Sequence, residues 1–245
     1  MVPTSPKKWH PPGPLLTFEL GISEAYAVQA EIARLREQRG ETIIGYKVGC
    51  TSRLIQAQLG VSEPIFGRLF AEECHPSGKR LSAARFANLA VEGELAVRLR
   101  AELSGPSVTE EDCRAAIAST FAVIELHHYI LPAAWPRIHW LIASGGLHAG
   151  FVRPMANASG NRIARSLTVH VNDHVVGEAR DAEALVSPVR SLSWLAGRLA
   201  DVGLRLHPGQ VILTGSPLPL FPIDAGSRVV VEAPPLESCC VEIDP

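Results

Sequence analysis

The chain has 245 residues, 47% of them hydrophobic, enough to bury a full core in one large domain or one domain with a small lobe, and too apolar for disorder. Its 23 basic and 25 acidic residues leave a formal charge of −2. That balance excludes the basic footprint of a nucleic-acid or anionic-membrane binder and leaves small neutral or anionic partners open.

Five cysteines, Cys50, Cys74, Cys113, Cys239 and Cys240, are odd in number and lack the paired CxxC spacing of a zinc site. Reduced thiols are expected, with the adjacent Cys239 and Cys240 facing opposite ways in a strand-like tail. The opening "MVPTSPKKWHPPGPLLTFEL" has no sustained apolar segment, and no later run is long enough to span a bilayer. A cytoplasmic protein without export signal or membrane span is the expectation.

In chain order, the proline-rich residues 1 to 15 predict an extended arm. "SEAYAVQAEIARLREQRGE" predicts a helix with Ser23 as N-cap, Ala27, Ile32 and Leu35 on its apolar face, and Gly40 as the stop. "ETIIGYKVG" reads as a short strand, "SRLIQAQLG" as a helix closed by glycine, and "EPIFGRLF" as extended chain after Pro64. Together these assign residues 1–80 to an N-terminal arm and a small α/β lobe.

Residues 81–245 are then expected to form one larger, strand-dominated part. Strands are predicted at 88–100, 120–128, 147–152, 166–178, 210–214 and 228–242, with helices near 109–119, 136–144 and 188–202. The order is that of an α+β fold, not a regular βαβ alternation. "TVHVNDHVVGEA" predicts a hairpin with Asn172 and Asp173 at its turn. There is no GxGxxG after a strand, no Walker loop, no HExxH and no GxSxG, so nucleotide enzymes and the common hydrolase classes lose weight.

The chemistry starts at "LAVEGELAVRLRAEL". Odd positions from Leu89 to Leu99 are apolar or glycine, and even positions carry Glu92, Glu94, Arg98 and Arg100. Period two puts Glu92 and Glu94 on one face, about 7 Å apart by strand rise, with Gly93 between them on the core side. The pair fits either a solvated polar face continued by the arginines or part of a cation site. A hard divalent ion wants a third oxygen ligand, and Glu125, ending the apolar run Phe121 to Ile124, supplies a carboxylate that is costly to bury unpaired.

His127 and His128 follow as possible ligands or bases, with half-exposed strand-end residues as the alternative. Lys47 lies in an apolar strand between Gly45 and Gly49. A buried lysine there needs a carboxylate or an anionic ligand, while a surface lysine in an alternating strand is the other reading.

The segments "GYKVGCTS", "LGVSEPIFGRLF", "VEGELAVRL", "VIELHHYI", "ASGGLHAG" and "VILTGSPLPLFPIDAGSRVVVE" occur in the order found in the 2-keto-4-pentenoate hydratase family of the fumarylacetoacetate hydrolase superfamily. The chain resembles that family over roughly residues 20 to 242. The resemblance implies a mixed, curved β-roll preceded by a smaller helical region, and a homo-oligomer. It implies Mg²⁺ or Mn²⁺ held by Glu92, Glu94 and Glu125, and a catalytic Lys47. It further implies substrate contacts from Ser144, Thr214, Gly215, Ser216 and His128.

The implied substrate is a small 2-hydroxy-2,4-dienoic or 2-oxo acid of aromatic-compound catabolism, and the implied reaction is hydration. Lys47 is expected to orient the anion and to assist proton transfer, provided burial depresses its pKa. Three departures bear on the reaction: many hydratases carry aspartate where this chain has Ile65, aspartate where it has His128, and asparagine where it has Ile142. They keep open a 2-oxo acid decarboxylase or an acylpyruvate-type C–C hydrolase of the same superfamily. A non-catalytic subunit that binds 2-oxo acids is the alternative from another class.

Overall fold

A computed structural model describes residues 20–130, 138–155, 162–180 and 185–245. The arm expected over residues 1–15, and residues 136 and 137 of the expected fourth helix, lie outside the described residues. The elements begin with α1 (Ile22–Gln38), β1 (Ile43–Gly49), α2 (Arg53–Leu59), β2 (Ile65–Phe70), β3 (Cys74–Pro76) and β4 (Lys79–Ser82). They continue with β5 (Leu89–Leu99), α3 (Glu110–Ala116), β6 (Ile117–His128), α4 (Ile138–Ala143), β7 (His148–Arg153), β8 (Ser166–Val171) and β9 (His174–Arg180). The chain ends through α5 (Pro188–Ala200), β10 (Val211–Leu213), β11 (Phe221–Pro222), β12 (Arg228–Glu232) and β13 (Cys239–Asp244).

The strands form two mixed sheets. The larger runs β2-β1-β10-β5-β6-β7-β3, with β11 added on β5, and the smaller runs β4-β13-β12-β8-β9. The larger sheet curls: β2 and β7, with four strands between them in its order, touch each other. It is the mixed α+β half-barrel implied by the resemblance. β1 and β2 pair within this sheet and β4 pairs with β13 in the other, so residue 80 falls inside a strand.

Parity along β5 divides the core. Val91 and Leu95, with Ile124 and Leu126 of β6, pack against Leu167, Val169, Val229, Val231 and Val241 of the smaller sheet. Further along that face, Val97, Leu99 and Ile117 meet Leu192, Leu195 and Leu199 of α5. These α5 positions recur at helical spacing behind a Ser187 cap and Pro188, as an amphipathic helix requires. The opposite face of the larger sheet holds Ala96, Phe121, Val123, Phe151 and Leu213.

Gly93 has a packing reason. A Cβ there would stand 2.6 Å from Val169 Cγ2 and 3.1 Å from Val231 Cγ2, so a bare position lets the two sheets close.

Several local expectations change. α1 begins after Gly21, not Ser23, and Glu24 reaches back to accept from the Gly21 N–H. Its buried residues are Ala25, Gln29 and Ala33, while Ile32 and Leu35 are exposed. The small side chains allow close approach, and the Gln29 amide donates to the carbonyls of Phe66 and Ile142. The run expected over 228–242 is two strands, because Pro234 and Pro235 cannot donate to a ladder. The hairpin stands, with Asn172 and Asp173 at φ 49° and 64°. All five cysteines are free; Cys239 is buried and Cys240 half-buried. Among the described residues no helix is long and apolar enough to cross a membrane.

Candidate active site

The antiparallel register of β5 and β6 sets Glu92 directly opposite Glu125. Directly paired residues share a face, so the three carboxylates, Ala96 and, through Leu213 of β10, Lys47 of β1 all lie on one side of the curled sheet. His127 joins them because it is two residues beyond Glu125, and His148 joins as its partner on β7. Glu94 and Glu125 are fully buried, whereas Glu92 keeps 20% of its side chain exposed.

Each buried carboxylate has one oxygen anchored and one free of hydrogen bonds. Glu125 Oε1 lies 3.0 Å from Lys47 Nζ and 2.6 Å from His148 Nδ1, and its Oε2 has no hydrogen-bond partner. Glu94 Oε2 accepts from the Gly215 N–H at 2.7 Å, and its Oε1 has no partner. His127 Nε2 stands 3.3 Å from Glu92 Oε2 and 3.5 Å from Glu125 Oε2, in an alignment that makes a hydrogen bond to neither. One donor atom from each of Glu92, Glu125 and His127 fits within a 4.8 Å cluster.

Buried polar atoms without partners are costly, and a cation held between Glu92, Glu125 and His127 would satisfy Glu125 Oε2 and His127 Nε2 together. The donor set of carboxylate oxygens and one imidazole fits a divalent ion.

The electrostatics are those of a balanced cluster. Burial and the neighbouring Glu125 hold Glu94 well above the usual carboxylate range. Burial would also raise Glu125, but Lys47 and His127 outweigh it and hold that carboxyl well below the range. Burial alone would depress Lys47, yet Glu125, Glu92 and Glu94 raise it, so it stays an ammonium. The expected downward shift of Lys47 is therefore corrected: three carboxylates outweigh desolvation. His127 follows the same logic, with burial opposed by Glu125 and Glu92 and its pKa raised to about 9.

The turn after α4 explains its paired glycines. Gly145 and Gly146 have φ of 66° and 77°, conformations that favour glycine. Gly67 leaves room for the Gly145 backbone, since a Cβ on Gly67 would fall 2.5 Å from the Gly145 carbonyl oxygen. Lys47 Nζ donates to the Gly146 carbonyl at 3.4 Å, and a Cβ on Gly146 would stand 2.8 Å from that nitrogen.

The remaining expected residues are placed differently from one another. The Thr214 hydroxyl donates to the Leu95 carbonyl, Ser216 Oγ donates to that of Gly93, and Gly215 holds Glu94, so this loop braces β5. Ser144 Oγ donates to the Leu141 carbonyl and accepts from the Leu147 N–H; it opens onto a cavity of about 90 Å³ shared with Arg36, Arg68 and His148. A larger cavity of about 270 Å³ lies against Leu95 and the start of α5, on the opposite face from the carboxylates.

His128 is not brought to the carboxylates. Its side chain takes the other face of β6, where Nδ1 accepts from the Ala87 N–H at 3.1 Å and the ring lies near Phe86. His127 occupies the carboxylate side instead, which the two-residue period from Glu125 already implied. His148 carried no such signal, because only the β6–β7 register brings it to Glu125. Two departures from the hydratase pattern, Ile65 and Ile142, meet in one apolar cluster with Ala25 and Ala143. Both Ile65 and the tip of Lys47 border Gly49.

The curled mixed sheet is the frame that this chain shares with known proteins. The chain belongs to the fumarylacetoacetate hydrolase family: the family model for the fumarylacetoacetate (FAA) hydrolase C-terminal region matches residues 50–243. Its similarity extends to the hydratase and decarboxylase group of that family. A 2-hydroxyhexa-2,4-dienoate hydratase of Comamonas testosteroni is 30% identical over 239 residues, covering 91% of this chain and 87% of the relative. A 2-keto-4-pentenoate hydratase of Burkholderia vietnamiensis is 32% identical over 204 residues, covering 82% and 78%. The solved 4-oxalocrotonate decarboxylase of Pseudomonas putida G7, complexed with magnesium and adipate, matches with a TM-score of 0.85 at 28% identity, covering 92% of this chain and 87% of that one.

Proposed function

We propose that this protein is a metal-dependent hydro-lyase that adds water to a 2-hydroxy-2,4-dienoic acid, or its 2-oxo-4-enoate equivalent, in the breakdown of aromatic compounds. The observation that carries the reading is the convergence of Glu92, Glu94, Glu125 and Lys47 on one face, with unpartnered oxygens on the two buried carboxylates. Similarity to hydratases over most of the chain supports the reaction class.

Glu92, Glu94 and Glu125 are assigned as the ligands of Mg²⁺ or Mn²⁺, which would supply Lewis-acid polarisation of the substrate's oxygens. Lys47, an ammonium steadied by Glu125 and the Gly146 carbonyl, orients the anionic substrate by charge and hydrogen bond and passes a proton. In balance, the terminal diene carbon gains a proton as the 2-hydroxyl loses one; water oxygen then bonds to C4 and a proton to C3. Thr214, Gly215 and Ser216 contribute by fixing Glu94 and β5, and Ser144 by shaping the turn that caps Lys47.

The purified protein with Mg²⁺ and 2-hydroxypenta-2,4-dienoate is expected to bleach the dienol absorbance and give a 4-hydroxy-2-oxo acid by NMR, with loss of turnover in Glu92→Gln. Absence of product across a panel of dienoates of different chain length would overturn the reading.

A second reading, decarboxylation of a 2-oxo acid, is favoured by the apolar cluster that holds Ile65 and Ile142, with Ile65 near the tip of Lys47, where the hydratase pattern has polar groups, and by similarity to the decarboxylase. Released CO₂ without a hydrated product would select it.

A further inference from the structure

We propose that His127 is a nitrogen ligand of the metal site, acting through Nε2 as the incoming cation displaces the ring's proton to solvent, so that the site selects a borderline first-row transition-metal ion over Mg²⁺. This rests on the metal reading above and names a ligand and a selectivity that the three carboxylates alone do not imply.

Three observations meet at one atom. The side chain is only 3% exposed, and neither ring nitrogen has a hydrogen-bond partner. Nε2 stands 3.3 Å from Glu92 Oε2 and 3.5 Å from Glu125 Oε2. Neighbouring donors around an ion with bonds near 2.1 Å are separated by about 3.0–3.5 Å, so these atoms sit at the spacing of a shared ion. Glu125 contributes the oxygen not taken by Lys47 and His148, which leaves both of those contacts intact.

The fold makes the placement specific. His127 follows Glu125 at the strand period, opposite Ala90 of β5, a residue too small to screen it from Glu92. Carboxylate and water oxygens suit Mg²⁺, whereas an imidazole nitrogen adds affinity for Fe²⁺, Co²⁺ or Zn²⁺ and little for Mg²⁺.

Two measurements test the assignment. In competition calorimetry with Co²⁺ and Mg²⁺, His127→Gln is expected to lower the Co²⁺ over Mg²⁺ preference by about tenfold or more, with Mg²⁺ affinity much less changed. Pulsed EPR of the Mn²⁺-loaded full chain is expected to show nitrogen coupling that persists in His148→Gln and is lost in His127→Gln. The persistence in His148→Gln identifies His127 even if the His127 variant fails to fold. Cation binding with no nitrogen coupling in the wild type, or with coupling lost in His148→Gln alone, overturns the His127 assignment and leaves the carboxylate site standing. Failure of Mn²⁺, Co²⁺ and Mg²⁺ to bind at all overturns both.

Discussion

Gly93 separates two carboxylates that face one way while its missing side chain faces the other. Replacing it with alanine inserts a methyl 2.6 Å from Val169 Cγ2 in a filled core. Gly93→Ala is expected to cost about 1–3 kcal/mol by urea denaturation, with part of the loss recovered in Gly93→Ala/Val169→Ala. Lys47 presents the opposite hazard, a buried charge whose removal strands another. Lys47→Met leaves Glu125 without its ammonium, and the expected loss is about 3–5 kcal/mol. Differential scanning fluorimetry should show part of that loss returning on addition of Mn²⁺, because a cation replaces the missing charge; no recovery would argue against cation binding at Glu125.

At the scale of elements, the turn between α4 and β7 holds Lys47 in place. Gly146→Ala brings a methyl to 2.8 Å from Nζ at a φ of 77°. A shift of the lysine by about 1 Å is expected to lower kcat/KM by about 100-fold on the substrate that the wild type turns over. Gly60→Ala is the comparison: it also has positive φ, but nothing lies within 4 Å of its Cβ, so activity should hold. The helix α5 covers the back of the same sheet, and its Ser187 cap accepts from the Arg190 N–H. Ser187→Ala is expected to lower stability by about 1 kcal/mol without changing KM, read from thermal unfolding and steady-state kinetics.

For the whole molecule, the cluster couples metal to folding. Glu92, Glu94 and Glu125 come from two strands, Lys47 from a third and His148 from a fourth, so an ion bound by the carboxylates is bound only by the folded sheet. A divalent cation at 100 times its Kd should therefore add about 2.7 kcal/mol of stability. Chelator dialysis followed by calorimetric melting checks this; an unchanged melting temperature on re-addition would contradict it.

Strand period and charge placement were legible in the sequence. They put Glu92 and Glu94 on one face, gave Gly93 to the core, and located α5 and the Asn172–Asp173 turn, but they left His127 and His128 as equal candidates and the expected contact fell on His128. The burying face of α1 was not legible, because Ala25, Gln29 and Ala33 are selected by close approach to β2 and α4 rather than by hydrophobicity. Nor was the role of "LTGS", whose hydroxyls bond β5 carbonyls that no local pattern identifies. Which side chains share a face follows from the chain alone, since alternation is a property of one strand. Which faces meet depends on long-range pairing: the β5–β6 and β6–β7 registers bring Glu92, Glu125 and His148 together across long separations, where pairing and packing, not local spacing, set the distance.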